Sequence, residues 1–159
     1  MTLFVGRHVN KIDAKGRVSV PKSFRASLQA HGSQNLYAYP LFKYGALEAC
    51  GEAFMARLSV SLDDLDMFSD EQDDLAAIVL ENACSLSFDP EGRIMLPKYL
   101  IEHSGISNRV TFVGRGARFQ IWEPDAYNAK RTIAFERARA QGATLKLRSL
   151  DTESESNGS

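Results

Sequence analysis

Two stretches of the chain carry one pattern of apolar and polar positions. In the first, Val18 and Val20 alternate with Arg17 and Ser19, and an extended run from Val9 to Ile12 precedes them. Alternation at a period of two marks a strand with one buried face, so the region predicts two strands joined by a turn at Asp13 to Gly16. Asp13 suits the start of that turn because its carboxylate accepts from backbone N–H groups ahead of it. Gly16 supplies the positive φ that a type I turn with a bulge requires. Pro21 has a preset φ and no N–H to lose, which fits the first position of a helix. Phe24 and Leu28 continue as an apolar stripe, and Gly32 is the stop. The second stretch follows the same script: Ile94 and Leu96 point inward, a short helix starts at Pro97, and Gly105 comes after it.

The likeness extends to individual residues. Asp13, Gly16, Arg17, Pro21 and Lys22 recur as Asp89, Gly92, Arg93, Pro97 and Lys98, each displaced by 76 positions. That is an internal duplication, and a copy this long is too large for a solenoid unit, so it predicts two half-domains packed against each other. The expected organisation is a first half over 1–58, an acidic linker and helix over 59–82, a second half over 83–150 and a disordered tail over 151–159.

Outside the repeats the periodicity predicts the remaining elements. Met1 to Ile12 reads as an entry strand, and Asn35 to Tyr39 as a strand closed by Pro40. Leu47, Cys50, Phe54 and Leu58 recur at roughly helical spacing, which predicts a core-facing helix over Leu47 to Leu58. Leu75, Ile78, Val79 and Ala83 predict an amphipathic helix over Leu75 to Cys84. Val110 to Val113 and Phe119 to Trp122 read as a hairpin around Gly114-Arg115-Gly116. Glu123-Pro124-Asp125 opens a helix that runs to about Gln141, with Tyr127, Ile133 and Phe135 as its apolar contacts and Gly142 ending it. Leu145, Leu147 and Leu150 alternate with Lys146 and Arg148, which predicts a short strand or a docking segment.

Composition narrows the class. The 159 residues are 44% hydrophobic and 25% charged, which supports a real core in one domain or two fused halves. No stretch approaches the length of a membrane span, and the N-terminus lacks a charged-then-apolar signal pattern; a cytoplasmic protein is expected. Cys50 and Cys84 stand alone without a CxxC spacing and read as reduced, partly buried thiols. His8, His31 and His103 have no ligand spacing with them, so neither a metal nor a cofactor is expected.

The net charge of −1 hides a strong polarity. Up to Arg25 the basic residues Arg7, Lys11, Lys15, Arg17, Lys22 and Arg25 face the single acid Asp13, whereas Glu48 to Glu81 is almost purely acidic. Such a chain presents a positive face while staying neutral overall. Paired acids at Asp63-Asp64 and Asp73-Asp74 lack the glycine and terminal glutamate of a calcium loop and read as solvated linker and helix start. Gly114-Arg115-Gly116 lacks the later glycine or P-loop lysine of a phosphate loop. At the first turn, Asp13 lies four residues before Arg17, within reach of its guanidinium. The plain reading is a surface ion pair that pins the turn; the functional one is a carboxylate orienting an arginine fork for phosphate or guanine.

The string Asp-x-x-Gly-Arg-(Val/Ile)-x-(Val/Leu)-Pro-Lys, followed by a short helix, resembles the AbrB-type DNA-binding half-barrel. Two such units in one chain resemble the MraZ family, and the Phe112-Val113-Gly114 and Phe119-Gln120-Ile121-Trp122 segments strengthen the likeness. The resemblance implies an α+β, β-rich fold in which two swapped-hairpin halves form one intramolecular pseudo-twofold β-barrel flanked by helices. It also implies a ring-shaped homo-oligomer, associated with the nucleoid. The implied activity is sequence-specific binding of promoter DNA at short repeated boxes, with repression of the division and cell-wall gene cluster. The Asp-x-x-x-Arg elements that carry over are Asp13/Arg17 and Asp89/Arg93.

The expected interface therefore comprises Arg7, Lys11, Asp13, Lys15, Arg17, Lys22, Arg25, Asp89, Arg93 and Lys98. The copies are unequal: at the repeat offset Arg7, Lys11, Lys15 and Arg25 become Ala83, Ser87, Glu91 and Ile101. The first hairpin is thus expected to make the main DNA contacts and the second to be mainly structural. Two rivals are an AbrB-like antitoxin or adaptor whose main partner is a protein, and an enzyme using the acids of Asp63 to Asp74. No nucleophile set, P-loop or Rossmann fingerprint accompanies those acids.

Overall fold

The repeated segments fold alike and then pair across one another. The computed structural model describes residues 3–150. The first half gives β1 (Arg7–Lys11), β2 (Arg17–Ser19), α1 (Lys22–Ala30), β3 (Leu36–Pro40) and β4 (Leu47–Cys50). Two connecting helices follow, α2 (Glu52–Asp63) and α3 (Asp70–Leu75), and α3 runs on as a π-helical stretch, Ala76–Glu81. The second half repeats the order as β5 (Cys84–Leu86), β6 (Arg93–Met95), α4 (Lys98–Ser104), β7 (Arg109–Gly114) and β8 (Phe119–Trp122), and α5 (Pro124–Gln141) comes last. The chain divides into two compact units, 1–127 and 128–159, and both copies of the repeat lie in the first.

The fold is mixed α+β with antiparallel pairing throughout. Six strands form one sheet in the order β1-β7-β8-β4-β3-β5, and β2 pairs with β6 in a separate two-stranded ribbon. Read from either end, the six-stranded order visits equivalent strands of the two copies. β1 pairs with β7 of the second half just as β5 pairs with β3 of the first. At the centre Glu48 of β4 lies opposite Gln120 of β8. The ribbon obeys the same rule, with Val18 opposite Ile94, its counterpart in the repeat.

This pairing corrects the expected hairpin. Among the described residues the two arms of the first turn share one β-bridge, Ile12 to Val18, and the Asn10 Nδ2 bond to the Ser19 carbonyl at 2.7 Å; each arm finds its ladder in the other half. The hydrogen-bonded order is also open, with β1 and β5 at its ends, so strand pairing gives a sheet and a ribbon where the resemblance implied a closed barrel. Sheet and ribbon share one core. Val18, Val20, Ile94 and Leu96 face inward from the ribbon, to meet Phe24 and Leu28 of α1, Leu100 of α4 and Phe112 and Phe119 of the sheet. Full burial of side chains this size contributes about 1.5–3 kcal/mol each.

Other expectations change for identifiable reasons. The helix expected over Leu47 to Leu58 is two elements: Leu47–Cys50 is a strand buried at every position, and the helix begins only after Gly51. The helix expected over Leu75 to Cys84 stops at Glu81, because Cys84–Leu86 joins the edge of the sheet against β3. Pro21 sits one position earlier than expected, as the N-cap of α1 with extended ψ. Tyr127 is buried against Trp122, but Ile133 and Phe135 are exposed. Leu145, Leu147 and Leu150 are exposed as well, in a segment without regular structure. The tail expected over 151–159 lies outside the described residues. No helix among the described residues is long and apolar enough to cross a membrane.

Candidate nucleic-acid interface

The two turns are built alike, bond for bond. In the first, Gly16 N–H donates to the Asp13 carbonyl at 3.0 Å and Asp13 N–H to the Arg17 carbonyl at 3.0 Å. Asp13 Oδ1 accepts from the N–H groups of Lys15 (3.0 Å) and Arg17 (2.8 Å), and Oδ2 accepts from Arg17 Nε at 2.7 Å. In the second, Asp89 Oδ1 accepts from Glu91 N–H and Arg93 N–H, both at 2.9 Å, and Oδ2 from Arg93 Nε at 2.7 Å. The aspartate thus spends one oxygen on the backbone and the other on the inner nitrogen of the arginine. Neither arginine's Nη groups make a further hydrogen bond among the described residues. A guanidinium gripped at Nε presents its outer edge as a fork with a fixed aim.

The electrostatics follow from this geometry. The Arg17 backbone N–H, helped by the Arg17 side chain, holds the Asp13 carboxyl below its ordinary range. The Arg93 backbone N–H does the same for Asp89. Arg93 is raised in turn, first by its hydrogen bond to Asp89, then by the charges of Asp89, Glu91 and Asp13. That Asp13 acts on Arg93 places the two turns in one electrostatic neighbourhood.

The ribbon is what brings them together. Arg17 lies opposite Met95 and Ser19 opposite Arg93, so both arginines stand on the outer face, diagonal to one another, while Val18 and Ile94 fill the inner face. Leu96 N–H donates to the Gly16 carbonyl at 2.9 Å and Val20 N–H to the Gly92 carbonyl at 3.2 Å, so each turn is fastened by the other copy. Arg17, Arg93, Asp89, Pro90 and Met95 border one open groove of about 410 Å³. Gly16 cannot be replaced freely: its φ is +88° and a Cβ there would stand 2.8 Å from the Leu96 carbonyl oxygen.

The other expected residues are placed more widely. Lys15 is exposed at the first turn, and Lys22 and Lys98 are exposed at the first positions of α1 and α4. Arg7 and Lys11 are exposed on β1, in the six-stranded sheet and outside the ribbon. Arg25 lies in the first half, yet its guanidinium rests on Gly92 of the second turn. Sequence reasoning missed Ile101, which occupies the corresponding place over Gly16, although the repeat offset linked it to Arg25. It also missed the buried Glu48, which accepts from Tyr39 Oη and Arg118 Nε, both at 2.8 Å, and from Gln120 at 3.4 Å. This cluster braces the sheet. Burial and Glu48 push Tyr39 well up, and the Cys50 thiol beside it up to about 12. Cys50 is buried, Cys84 half-buried, and both are free thiols. The acids of Asp63 to Asp74 are exposed, with Asp70, Glu71 and Asp73 in the first turn of α3 as helix electrostatics favour.

Comparison of the sequence with known proteins finds relatives. A family model described as "MraZ protein, putative antitoxin-like" matches residues 79–147. A relative from Parvibaculum lavamentivorans is 43% identical over 159 residues, covering 99% of each chain. One from Gluconacetobacter diazotrophicus is 46% identical over 142 residues, 87% of this chain and 90% of its own. One from Pelagibacter ubique is 42% identical over 144 residues, 91% of this chain and 93% of its own. All three carry the name "Transcriptional regulator MraZ". These relatives group the chain with transcriptional regulators, not enzymes. The chain belongs to the MraZ family.

Proposed function

We propose that the protein binds promoter DNA in a sequence-specific way through the outer face of the β2–β6 ribbon, and acts as a repressor of the division and cell-wall gene cluster. The observation that carries this reading is the paired clamp: two arginines on one ribbon face, each held at Nε by its own aspartate at 2.7 Å, with its outer edge unbonded among the described residues. A two-stranded ribbon fits the major groove, and an arginine fork matches the two acceptors of guanine. Lys11, Lys15, Lys22, Arg25 and Lys98 supply phosphate contacts, and Arg7 extends them along β1. The crossed pairing of the halves supports a reading of each as an AbrB-type swapped-hairpin unit.

A few phosphates per chain give weak binding that falls steeply with salt. By the family resemblance, copies assemble into a ring on the nucleoid in the cytoplasm, and engaging several repeated boxes at once raises avidity without new contacts. The test is a footprint of the purified protein on DNA just upstream of its own reading frame. Evenly spaced short protected boxes are expected, with Arg17→Ala losing about 1–3 kcal/mol per engaged site. The words "antitoxin-like" in the family description point to the competing reading, a protein partner. Wild-type protein that ignores duplexes at low salt but captures a foreign protein one-to-one establishes that competitor instead.

A further inference from the structure

We propose that Arg25, carried by the first half, acts with the Asp89–Arg93 turn of the second as one phosphate-contacting unit assembled from both halves of the chain. The inference rests on the DNA-binding reading above and deepens it. Its basis is where α1 delivers the Arg25 side chain. Arg25 Nε donates to the Val20 carbonyl at 3.1 Å, which fixes the guanidinium on the side of the ribbon where Gly92 lies. The guanidinium then lies against Gly92, so closely that a Cβ at that glycine would collide with it. Its Nη groups make no hydrogen bond among the described residues. Beside it opens a recess of about 570 Å³, bordered by Gln29, Gln34, Phe88 and Asp89, so solvent and ligand reach the charged edge.

The repeat supplies an internal control. The residue equivalent to Arg25 is Ile101, and its Cδ1 lies 3.2 Å from where a Cβ on Gly16 would stand. The same slot over the turn glycine is therefore filled by a hydrocarbon in one copy and by a guanidinium in the other. Packing is satisfied by isoleucine, so packing does not demand the charge. Charge accounts for the difference. Asp89, Glu91 and Arg93 leave the second turn at −1, whereas Asp13, Lys15 and Arg17 leave the first at +1. Arg25 brings the second turn to neutrality and adds donors on its exposed side. A phosphate repelled by Glu91 alone gains a cation at the turn, and Arg93 is then free to follow Arg17 into the groove.

The test uses full-length protein and a labelled duplex of the region upstream of its own reading frame, with a scrambled duplex of equal length beside it. Binding is measured across salt concentrations for wild type, Arg25→Ile and Arg25→Lys, and for Arg25→Ile in Arg17→Ala and Arg93→Ala backgrounds. Arg25→Ile is expected to lower the slope of log K against log salt by about 0.9 per engaged chain. The loss falls on both duplexes alike, because a phosphate contact carries no sequence information. Arg25→Lys restores the slope. The drop persists in the Arg17→Ala background and shrinks in the Arg93→Ala background. Isoleucine is what the other half uses in this slot, so Arg25→Ile should melt as wild type does; Arg25→Gln is read in the same way if it does not. An unchanged slope, or a drop that disappears with Arg17 instead of Arg93, overturns the inference while leaving DNA binding intact. Wild-type protein that fails to bind either duplex at low salt overturns the underlying reading, and this one with it.

Discussion

Three glycines with positive φ separate backbone strain from steric contact. Gly16 (φ +88°), Gly32 (φ +75°) and Gly92 (φ +79°) all occupy the region where an L side chain is strained, which costs about 1–2 kcal/mol for alanine. Around Gly32 nothing lies within 4 Å of a new Cβ, so Gly32→Ala should lose that amount and no more. At Gly16 the new methyl meets the Leu96 carbonyl oxygen at 2.8 Å. That oxygen is backbone, and Leu96 N–H is itself bonded to the Gly16 carbonyl at 2.9 Å, so relief means prising β2 from β6. Overpacking of this kind adds about 1–3 kcal/mol. Gly16→Ala should therefore lose roughly 2–5 kcal/mol in total, on the order of 5–20 °C in Tm for a domain of this size. At Gly92 the obstacle is the Arg25 guanidinium, the end of a flexible side chain that can swing away. Gly92→Ala should melt close to Gly32→Ala yet bind DNA more weakly than it. Urea denaturation followed by circular dichroism, paired with DNA titration, reads all three. Equal losses of stability at Gly16 and Gly32 would refute the claim that the ribbon is locked through the Gly16–Leu96 contact.

Glu48→Ala should cost about 1–3 kcal/mol in urea denaturation, because it strands the buried Tyr39 Oη, while the partly exposed Arg118 can turn to solvent. Glu48→Gln, which keeps an acceptor there, should cost less, and equal costs would argue against the cluster as a brace. The turn carboxylates set a pH dependence: Asp13 and Asp89 titrate below their ordinary value of 3.8 when folded, so their contribution is fully present above 3.8 and is lost as pH falls through the lower folded values. The backbone amide signals of Arg17 and Arg93 in an NMR titration should move with midpoints below 3.8, and a midpoint at or above it contradicts the clamp.

What could be read from the chain was local. Asp13, Gly16 and Pro21 each act on the few residues beside them, and the turns, the clamps and both short helices followed from that. Pairing is not local. Val9 to Ile12 looked like the partner of Val18 and Val20 because they are close in sequence, but beyond the Ile12–Val18 bridge β2 found its ladder about 75 residues away and β1 about 100. Leu47 to Cys50 was hidden for another reason. Glu48 breaks the apolar alternation, and its burial depends on Tyr39 of β3 and on Arg118 from the β7–β8 connection, so Leu47, Cys50 and Phe54 counted as a helical stripe. Arg25 was credited to the nearer turn because nothing in a linear reading shows that the ribbon carries α1 over to the other one.

The place where the two copies meet head-on has a consequence for their ancestry. Glu48 faces Gln120, the residue that symmetry makes its twin. Had the copies stayed identical, two glutamates would share that buried spot, and like charges without water between them repel. A free first half would meet this barrier on joining a second copy of itself, but not on joining the half that carries glutamine. An acid in one copy and an amide in the other thus disfavours self-association of a severed first half and favours its pairing with the second.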